Sequence, residues 1–366
     1  MGTPLAGSQA CGATDYEGGQ AMRPANDAEL AIWDELITAN PDGGNSLQTK
    51  SWGDFKAHYG WKPMRFVYTV KGRDIAVQVL TREVPFLGNI LYCPKGPGVD
   101  SLDQFLDIVA KTKTASPNAL FIRFEPELLD DLVDKQYLIG AGLKRASRDS
   151  SSKSTIFIDL NRDEEAVLAS FSQSTRRNIR KAIEAGVTVE HVDPTAANLE
   201  IMYDLMKATE ARAHYGLRPK QYFLDYWKAQ SKAGQAELFF TKHEGDVLAG
   251  IFVTHIGARA WYKDGGSFVL KRELQPTYLM QWSVMKWCIK HGITSYDMVG
   301  VPNRDEVGTG NSRDGLFEFK SKFNPEITEF IGAWDLPLSA LYPAWGLIGE
   351  RLAGRDAMKR PEKFLY

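Results

Sequence analysis

The chain has 366 residues, 43% hydrophobic and 11% aromatic, enough to bury a large core divided over two domains. A formal charge of −2 excludes an overall electrostatic grip on nucleic acid and leaves only a local basic patch for that purpose. No apolar run reaches membrane-spanning length and the N-terminal stretch lacks the basic start and apolar centre of a signal peptide. The three cysteines, Cys11, Cys93 and Cys288, are odd in number and far apart, so a cytoplasmic protein with free thiols is expected.

Residues 1–24 are rich in Gly, Ala and small polar residues and are expected to form a disordered tail, having too few apolar groups to offset the entropy of ordering. An amphipathic helix is predicted over 28–38, with Leu30, Trp33, Leu36 and Ile37 on one face, ended by Asn40-Pro41-Asp42-Gly43-Gly44. Alternation over 64–71 and 73–81 predicts a hairpin across Gly72. The spacing of Leu102, Phe105, Leu106, Val109 and Ala110 predicts a helix over 102–116, feeding a strand at 120–124. The Ser-, Arg- and Asp-rich stretch 147–154 reads as a loop and a domain boundary, so a second domain begins near Lys153. A strand over 155–160 leads to a helix capped by Asn161, with Glu164 completing a capping box. Asp193-Pro194 starts a helix reaching about Ala213. Strands at 236–241, 247–256 and 258–263 form a meander, and a helix over 276–291, striped by Tyr278, Leu279, Trp282, Met285 and Ile289, stops at Gly292. Two α/β halves of similar order result.

Several chemistries lack their residues. The histidines at 58, 191, 214, 243, 255 and 291 show neither zinc-helix spacing nor a Cys-x-x-Cys partner set, so no metal is expected. There is no Gly-x-Ser-x-Gly elbow, no P-loop and no Gly-x-Gly-x-x-Gly. GTGNSRDG (308–315) reads as a mobile loop over a cleft.

Five segments, in order, resemble the Fem (FemABX) family of peptidoglycan cross-bridge peptidyltransferases. They are SWGDFK (51–56), LYCPKGPGVD (91–100), STRRNIRKAIEAGVTVEHV (174–192), LQPTYLMQWSVMKWCIKHGITSYDMVGVPN (274–303) and GLFEFKSKFNPEITEFIGAWDLPL (315–338). The resemblance implies an α/β fold of two acetyltransferase-like (GNAT-like) domains facing across a cleft. The first would comprise 25–152 with a returning segment, 331–366, and the second 153–330. No heptad-rich insertion is visible, which implies the kind without a coiled-coil arm. The implied activity is transfer of an amino acid from aminoacyl-tRNA to the stem-peptide amine of a nucleotide- or lipid-linked precursor, by a monomer in peripheral contact with the inner membrane face.

Independently of the family, KRELQPTYLMQW (271–282) has no glycine where an acetyltransferase brings backbone N–H groups to the coenzyme A pyrophosphate, so coenzyme A is not the expected donor and no cofactor is expected. By resemblance, Phe319 and Lys320 form the catalytic pair, with the lysine offsetting charge on the tetrahedral intermediate. Lys56 would bind a precursor diphosphate. Arg212 is the candidate arginine beside it, with Arg218 the alternative register. Tyr215 and Tyr262 are candidates for acceptor contacts, although interfacial tyrosines with wet hydroxyls are nearly as common. Glu125, in FIRFEP, stands where relatives carry an aspartate, and is a further substrate-binding candidate. Arg176, Arg177, Arg180 and Lys181 cluster on one helix and are expected to meet the tRNA backbone, the plain alternative being a solvated face. No general base is assigned. An acyltransferase acting on another amine, or a non-catalytic scaffold, are the other readings.

Overall fold

The computed structural model describes residues 22–84, 87–115, 118–213, 216–310 and 313–346. The first half contains strands β1 (Arg23–Pro24), β2 (Lys62–Val70), β3 (Arg73–Val84), β4 (Gly88–Cys93), β5 (Ala119–Phe124) and β6 (Lys144–Arg145). Its helices are α1 (Asp27–Ala31), α2 (Trp33–Thr38), α3 (Lys50–Ala57), α4 (Leu102–Ala115) and α5 (Lys135–Gly140). The second half runs through β7 (Ser154–Thr155), β8 (Phe157–Asp159), α6 (Glu164–Ser170), α7 (Gln173–Glu184), β9 (Thr188–Val192), α8 (Ala196–Ala213) and α9 (Lys220–Lys232). It continues with β10 (Ala236–His243), β11 (Asp246–Ile256), β12 (Arg259–Ser267), α10 (Pro276–Lys290), β13 (Ser295–Asp297), α11 (Asp314–Lys320) and β14 (Thr328–Glu329), before β15 (Trp334–Pro337).

The same unit occurs in each half. Three antiparallel strands (β2-β3-β4, then β10-β11-β12) are followed by a helix, α4 or α10, and a strand parallel to the third, β5 or β13. A helical crossover is what a parallel neighbour requires. On its other side each of these parallel strands has an antiparallel neighbour: β15 on β5 and β8 on β13. The sheet orders are β1-β2-β3-β4-β5-β15-β6 and β8-β13-β12-β11-β10-β9, with a small β14-β7 ladder. The chain thus returns to the first sheet at its end. Among the described residues the longest helix is α8, 18 residues, and it lies on β12 rather than projecting as an arm.

Each sheet is buried on both faces, with its larger core on one of them. Tyr68, Val77, Phe105, Ile108, Phe124 and Trp334 lie in the larger core of the first sheet, and Val167, Ile179, Val253, Met285 and Tyr296 in that of the second. The halves are tied by Phe55 of α3, whose ring meets Tyr222 and Tyr226 of α9 at 5.0 and 5.4 Å between centroids. These aromatic contacts place the first half's SWGDFK segment against the second.

Local sequence is overridden in a few places. The helix predicted over 28–38 breaks at Ile32, whose side chain is exposed, because Trp33 turns inward and donates from Nε1 to the Gln48 carbonyl at 3.0 Å. Arg23 and Pro24, assigned to the tail, pair with Val67 and Phe66, and Asn26 caps α1; residues 1–21, including Cys11, lie outside the described residues. Asp163, not Asn161, caps α6 by accepting from the Ala166 N–H at 2.7 Å. The strand predicted over 155–160 is divided between β7 and β8, which pair with different partners. Cys93 and Cys288 are buried free thiols.

Candidate active site

Lys320 ends α11 and is 3% exposed. Phe319 anchors this last turn by packing on Tyr278 at 5.2 Å and on Phe323 at 5.5 Å, which turns the next side chain inward. The Lys320 ammonium donates to the carbonyls of Val299 and of Gly300, the latter at 3.1 Å, and lies 5.4 Å from the centre of the Tyr262 ring. Burial pushes its pKa down to about 7; Asp297 opposes the fall and Arg313 adds to it. At neutral pH this amine therefore exists in both protonation states. Phe319, Lys320 and Tyr262 are brought together.

Tyr262 is aimed by an irregularity in its strand. Val253 pairs with Tyr262 and Phe252 with Asp264, so Lys263 is the extra residue of a β-bulge. Gly265 is required beside it, because a Cβ there would collide with the Tyr262 ring and hydroxyl. Lys263, the bulged residue, approaches the Tyr226 ring at 5.5 Å and joins a second cluster of positive charge.

That cluster surrounds Lys56, which is 2% exposed on α3. Its Nζ lies 5.4, 6.0 and 5.7 Å from the rings of Trp52, Trp61 and Tyr222. Among the described residues no carboxylate or carbonyl accepts from it. Burial, then Arg218, Arg82 and Lys263, drive its pKa well below the usual lysine value. Arg218 sits 4.6 Å over the Tyr222 ring, the same ring that Lys56 faces, and Arg82 lies 4.6 Å over Trp61. Four cations converging on aromatic faces make a receptor for a compact polyanion. The structure brings Arg218, the alternative register, to Lys56. Arg212 instead points along α8, donating to the hydroxyls of Thr209 at 3.2 Å and Ser267 at 3.1 Å, and is exposed.

A buried polar seam joins the halves on the Asp297 side of Lys320. Glu127 accepts from Arg259 at 2.7 Å and from Asn45 at 3.2 Å, and lies 3.7 Å from the Lys95 ammonium. Burial acts to raise its pKa, but Arg259 and Lys95 hold it below the ordinary value. Two carboxylates beside it are shifted the other way. Asp42 is pushed up to about 6 by burial and then by Glu127, and Asp297 is raised by the same two causes.

Glu125 does not face this seam. Its carboxylate accepts from the Tyr92 hydroxyl at 2.7 Å, the backbone N–H groups of Ser150 and Ser151 at 2.7 and 3.1 Å, and the Ser151 hydroxyl at 2.8 Å. Both oxygens are engaged within the chain, and they tie down the crossing segment between the halves. Tyr215 lies outside the described residues, as do 311 and 312 within the GTGNSRDG loop. On α7, Arg177, Arg180 and Lys181 are exposed, whereas Arg176 is committed to the end of α6, donating to the carbonyls of Ala169 and Phe171 at 2.7 and 2.6 Å.

Arg82, Lys263, Glu127, Arg259 and Asp297 are not singled out by the sequence. Asp297 and Lys95 fall inside segments that resemble the Fem family and could have been found there; Arg82 carries no local signal. Among the described residues no group of His, Cys, Asp and Glu is arranged to hold a metal ion, and no helix is long and apolar enough to cross a membrane.

The chain is 25% identical over 391 aligned residues to lipid II:glycine glycyltransferase of Staphylococcus aureus (strain MRSA252), covering 84% of this chain and 91% of that protein. Among solved structures, FemX superposes with a TM-score of 0.76 at 23% identity, over 89% of this chain and 99% of FemX. L-PGS from Bacillus licheniformis superposes with a TM-score of 0.52 at 14% identity, over 90% of this chain and 97% of its own. Both are likenesses of fold, and FemX supports the paired acetyltransferase-like architecture. The sequence model of the FemAB family matches residues 137–238 and 227–348, more than half of the chain, and the protein belongs to that family.

Proposed function

We propose that this protein is an aminoacyltransferase that moves an amino acid from aminoacyl-tRNA to the stem-peptide amine of a peptidoglycan precursor. Lipid II is the acceptor and glycine the amino acid suggested by the name of the Staphylococcus aureus relative. The observation that carries the reading is the placement of two buried lysines, Lys320 and Lys56, without carboxylate partners among the described residues, on either side of Tyr262 and Lys263 in a FemAB-family fold.

The chemistry needs little activation of the donor, since a tRNA ester is already reactive. The acceptor nitrogen attacks the ester carbonyl carbon; the C–N bond forms, the C–O bond to the ribose breaks, and the amine's proton leaves to the departing oxygen or to solvent. Lys320 in its ammonium form offsets the negative oxygen of the intermediate, a contribution on the order of 10²- to 10³-fold in rate. Lys56, Arg218, Arg82 and Lys263 hold the acceptor's diphosphate, fixing where its amine can reach. The exposed Arg177, Arg180 and Lys181 on α7 contact tRNA phosphates.

Coenzyme A is disfavoured as donor by the start of α10. Its first residue, Pro276, has no N–H to offer a pyrophosphate, and Pro276 and Tyr278 are buried in the first turn. The test is to incubate the purified full chain with a pool of charged tRNAs and lipid II or its nucleotide-linked precursor, and to weigh the product. A mass increase of one aminoacyl residue is expected; no increase with any charged tRNA overturns the proposal.

A further inference from the structure

Beyond Asp297, β13 does not stop pairing with the crossing segment. The Met298 N–H donates to the Ile156 carbonyl at 2.9 Å and the Val301 N–H to the Ser154 carbonyl at 3.1 Å. Between them Val299 and Gly300 bulge out with φ of +51° and +58°. A β-branched residue seldom adopts this left-handed conformation, so something must hold it there. Asp297 Oδ1 accepts the Val299 N–H at 2.7 Å and also the Thr155 hydroxyl. The carbonyls of the two bulged residues are the acceptors of the Lys320 ammonium.

We propose that Asp297 and Thr155 are positioning residues for Lys320, clamping the Val299–Gly300 bulge so that its two carbonyls seat the ammonium against the Tyr262 ring. The inference rests on the reading of Lys320 above and adds the device that sets its place and its charge. Carbonyl dipoles orient the lysine without neutralising it, while the Asp297 carboxylate, one layer behind, favours the charged form. Lys320 meets Asp297, Arg313 and Tyr262; Asp297 meets Glu127, Lys95 and Arg259 from the neighbouring seam.

The test separates geometry from charge in the full chain. Asp297→Asn keeps an oxygen able to accept both hydrogen bonds and removes the charge; Thr155→Val keeps shape and removes the hydroxyl. Lys320 is followed by NMR of protein labelled at lysine Cε, its signal identified with Lys320→Arg. In Asp297→Asn its titration should fall by about one pH unit. Starting from a pKa of about 7, the protonated fraction at pH 7 then drops from about half to about a tenth, so kcat should be about fivefold lower there and recover toward the wild-type value at lower pH, with acceptor KM unchanged. Thr155→Val should move the titration the same way by less. A merely structural role would lower thermal stability without a pH-dependent rate ratio. Unchanged Lys320 titration in both folded variants overturns the proposal. Should the protein transfer nothing, a shifted titration would still support the clamp, so failure of the functional reading and failure of this one are told apart.

Discussion

Replacing Lys56 by Met should make the protein more stable and its acceptor site weaker, two effects of opposite sign from one buried charge. In the folded chain Lys56 is enclosed by three rings and repelled by Arg218, Arg82 and Lys263, and its pKa lies well below the ordinary value. The unfolded chain keeps the lysine protonated up to about pH 10.4. Between the folded and unfolded values the unfolded state binds more protons, so this group's contribution to stability rises with pH and is most unfavourable below the folded value. Exchanging a buried charge for an apolar residue of similar volume is commonly neutral to stabilising, here by about 1–4 kcal/mol at pH 7. Each kcal/mol corresponds to roughly 2–4 °C in melting temperature for a chain of this order of size. The gain should shrink toward zero near pH 10.4. Conversely, one charge-assisted bond to the diphosphate is worth about 1.5–3 kcal/mol, so acceptor KM should rise by roughly 10- to 100-fold with kcat little changed. Thermal denaturation at pH 7 and pH 9.5, with and without inorganic pyrophosphate, reads both effects, since a ligand that binds only the folded state raises its melting temperature. Destabilisation of Lys56→Met at pH 7, or equal stabilisation of both proteins by pyrophosphate, would refute the reasoning.

Lys320→Met should reduce kcat by about 10²- to 10³-fold while leaving acceptor KM and the circular-dichroism spectrum unchanged; retained transfer removes Lys320 from the chemistry. Asp42→Asn should stabilise the protein near pH 7.5 by about 1–3 kcal/mol and have no effect near pH 4. The sign follows from a folded pKa raised to about 6 by burial and Glu127: the folded state holds the extra proton, so this group favours folding below its unfolded pKa and loses that benefit as pH rises through 6. Its Oδ2 is buried without a hydrogen-bond partner, while the Oδ1 bond from the Gly44 N–H survives the change, and denaturation at the two pH values checks it. Arg177→Glu with Arg180→Glu should weaken aminoacyl-tRNA use and flatten the slope of log affinity against log salt by about 0.7–0.9 for each phosphate no longer neutralised; an unchanged slope would assign α7 to solvent alone.

The parts of the molecule that were legible are those where side-chain period decides structure. Alternation over 64–81 and strand-forming runs over 236–263 mark the meanders, and the apolar stripe from Tyr278 to Ile289 marks α10, although β3, β11 and most of α10 are buried on more than one face. Non-local partners were not legible. FEPE reads as one acidic turn, yet Glu125 is taken up by Ser150 and Ser151, which lie far along the chain, while Glu127, two residues on, is taken up by Arg259 of the other half. The arginine beside Lys56 was uncertain for a similar reason. α8 ends at Ala213 and α9 starts at Lys220, so Arg218, over the Tyr222 ring, belongs to neither helix and helical register does not place it. The bulge at Val299 was hidden because MVGV reads as an apolar run; only its pairing with 154–156 shows one extra residue, Val299 and Gly300 standing opposite Thr155 alone.

The two lysines share a principle of construction that bears on what they can do. A buried ammonium in an ion pair has its field cancelled where a substrate would need it, and breaking the pair to admit an anion costs several kcal/mol. Lys320 is hosted by carbonyl dipoles and Lys56 by aromatic faces, so each is oriented while its net charge remains available. The carboxylates that neutralise the neighbourhood, Glu127 and Asp297, are directed to Arg259 and to backbone and hydroxyl donors instead. Burial without a carboxylate disfavours the ammonium form, as the depressed pKa values of both lysines record. An incoming diphosphate at Lys56, and an oxyanion forming at Lys320, would each relieve that unfavourable state, so burial energy set aside in folding is returned as binding at one lysine and as transition-state stabilisation at the other.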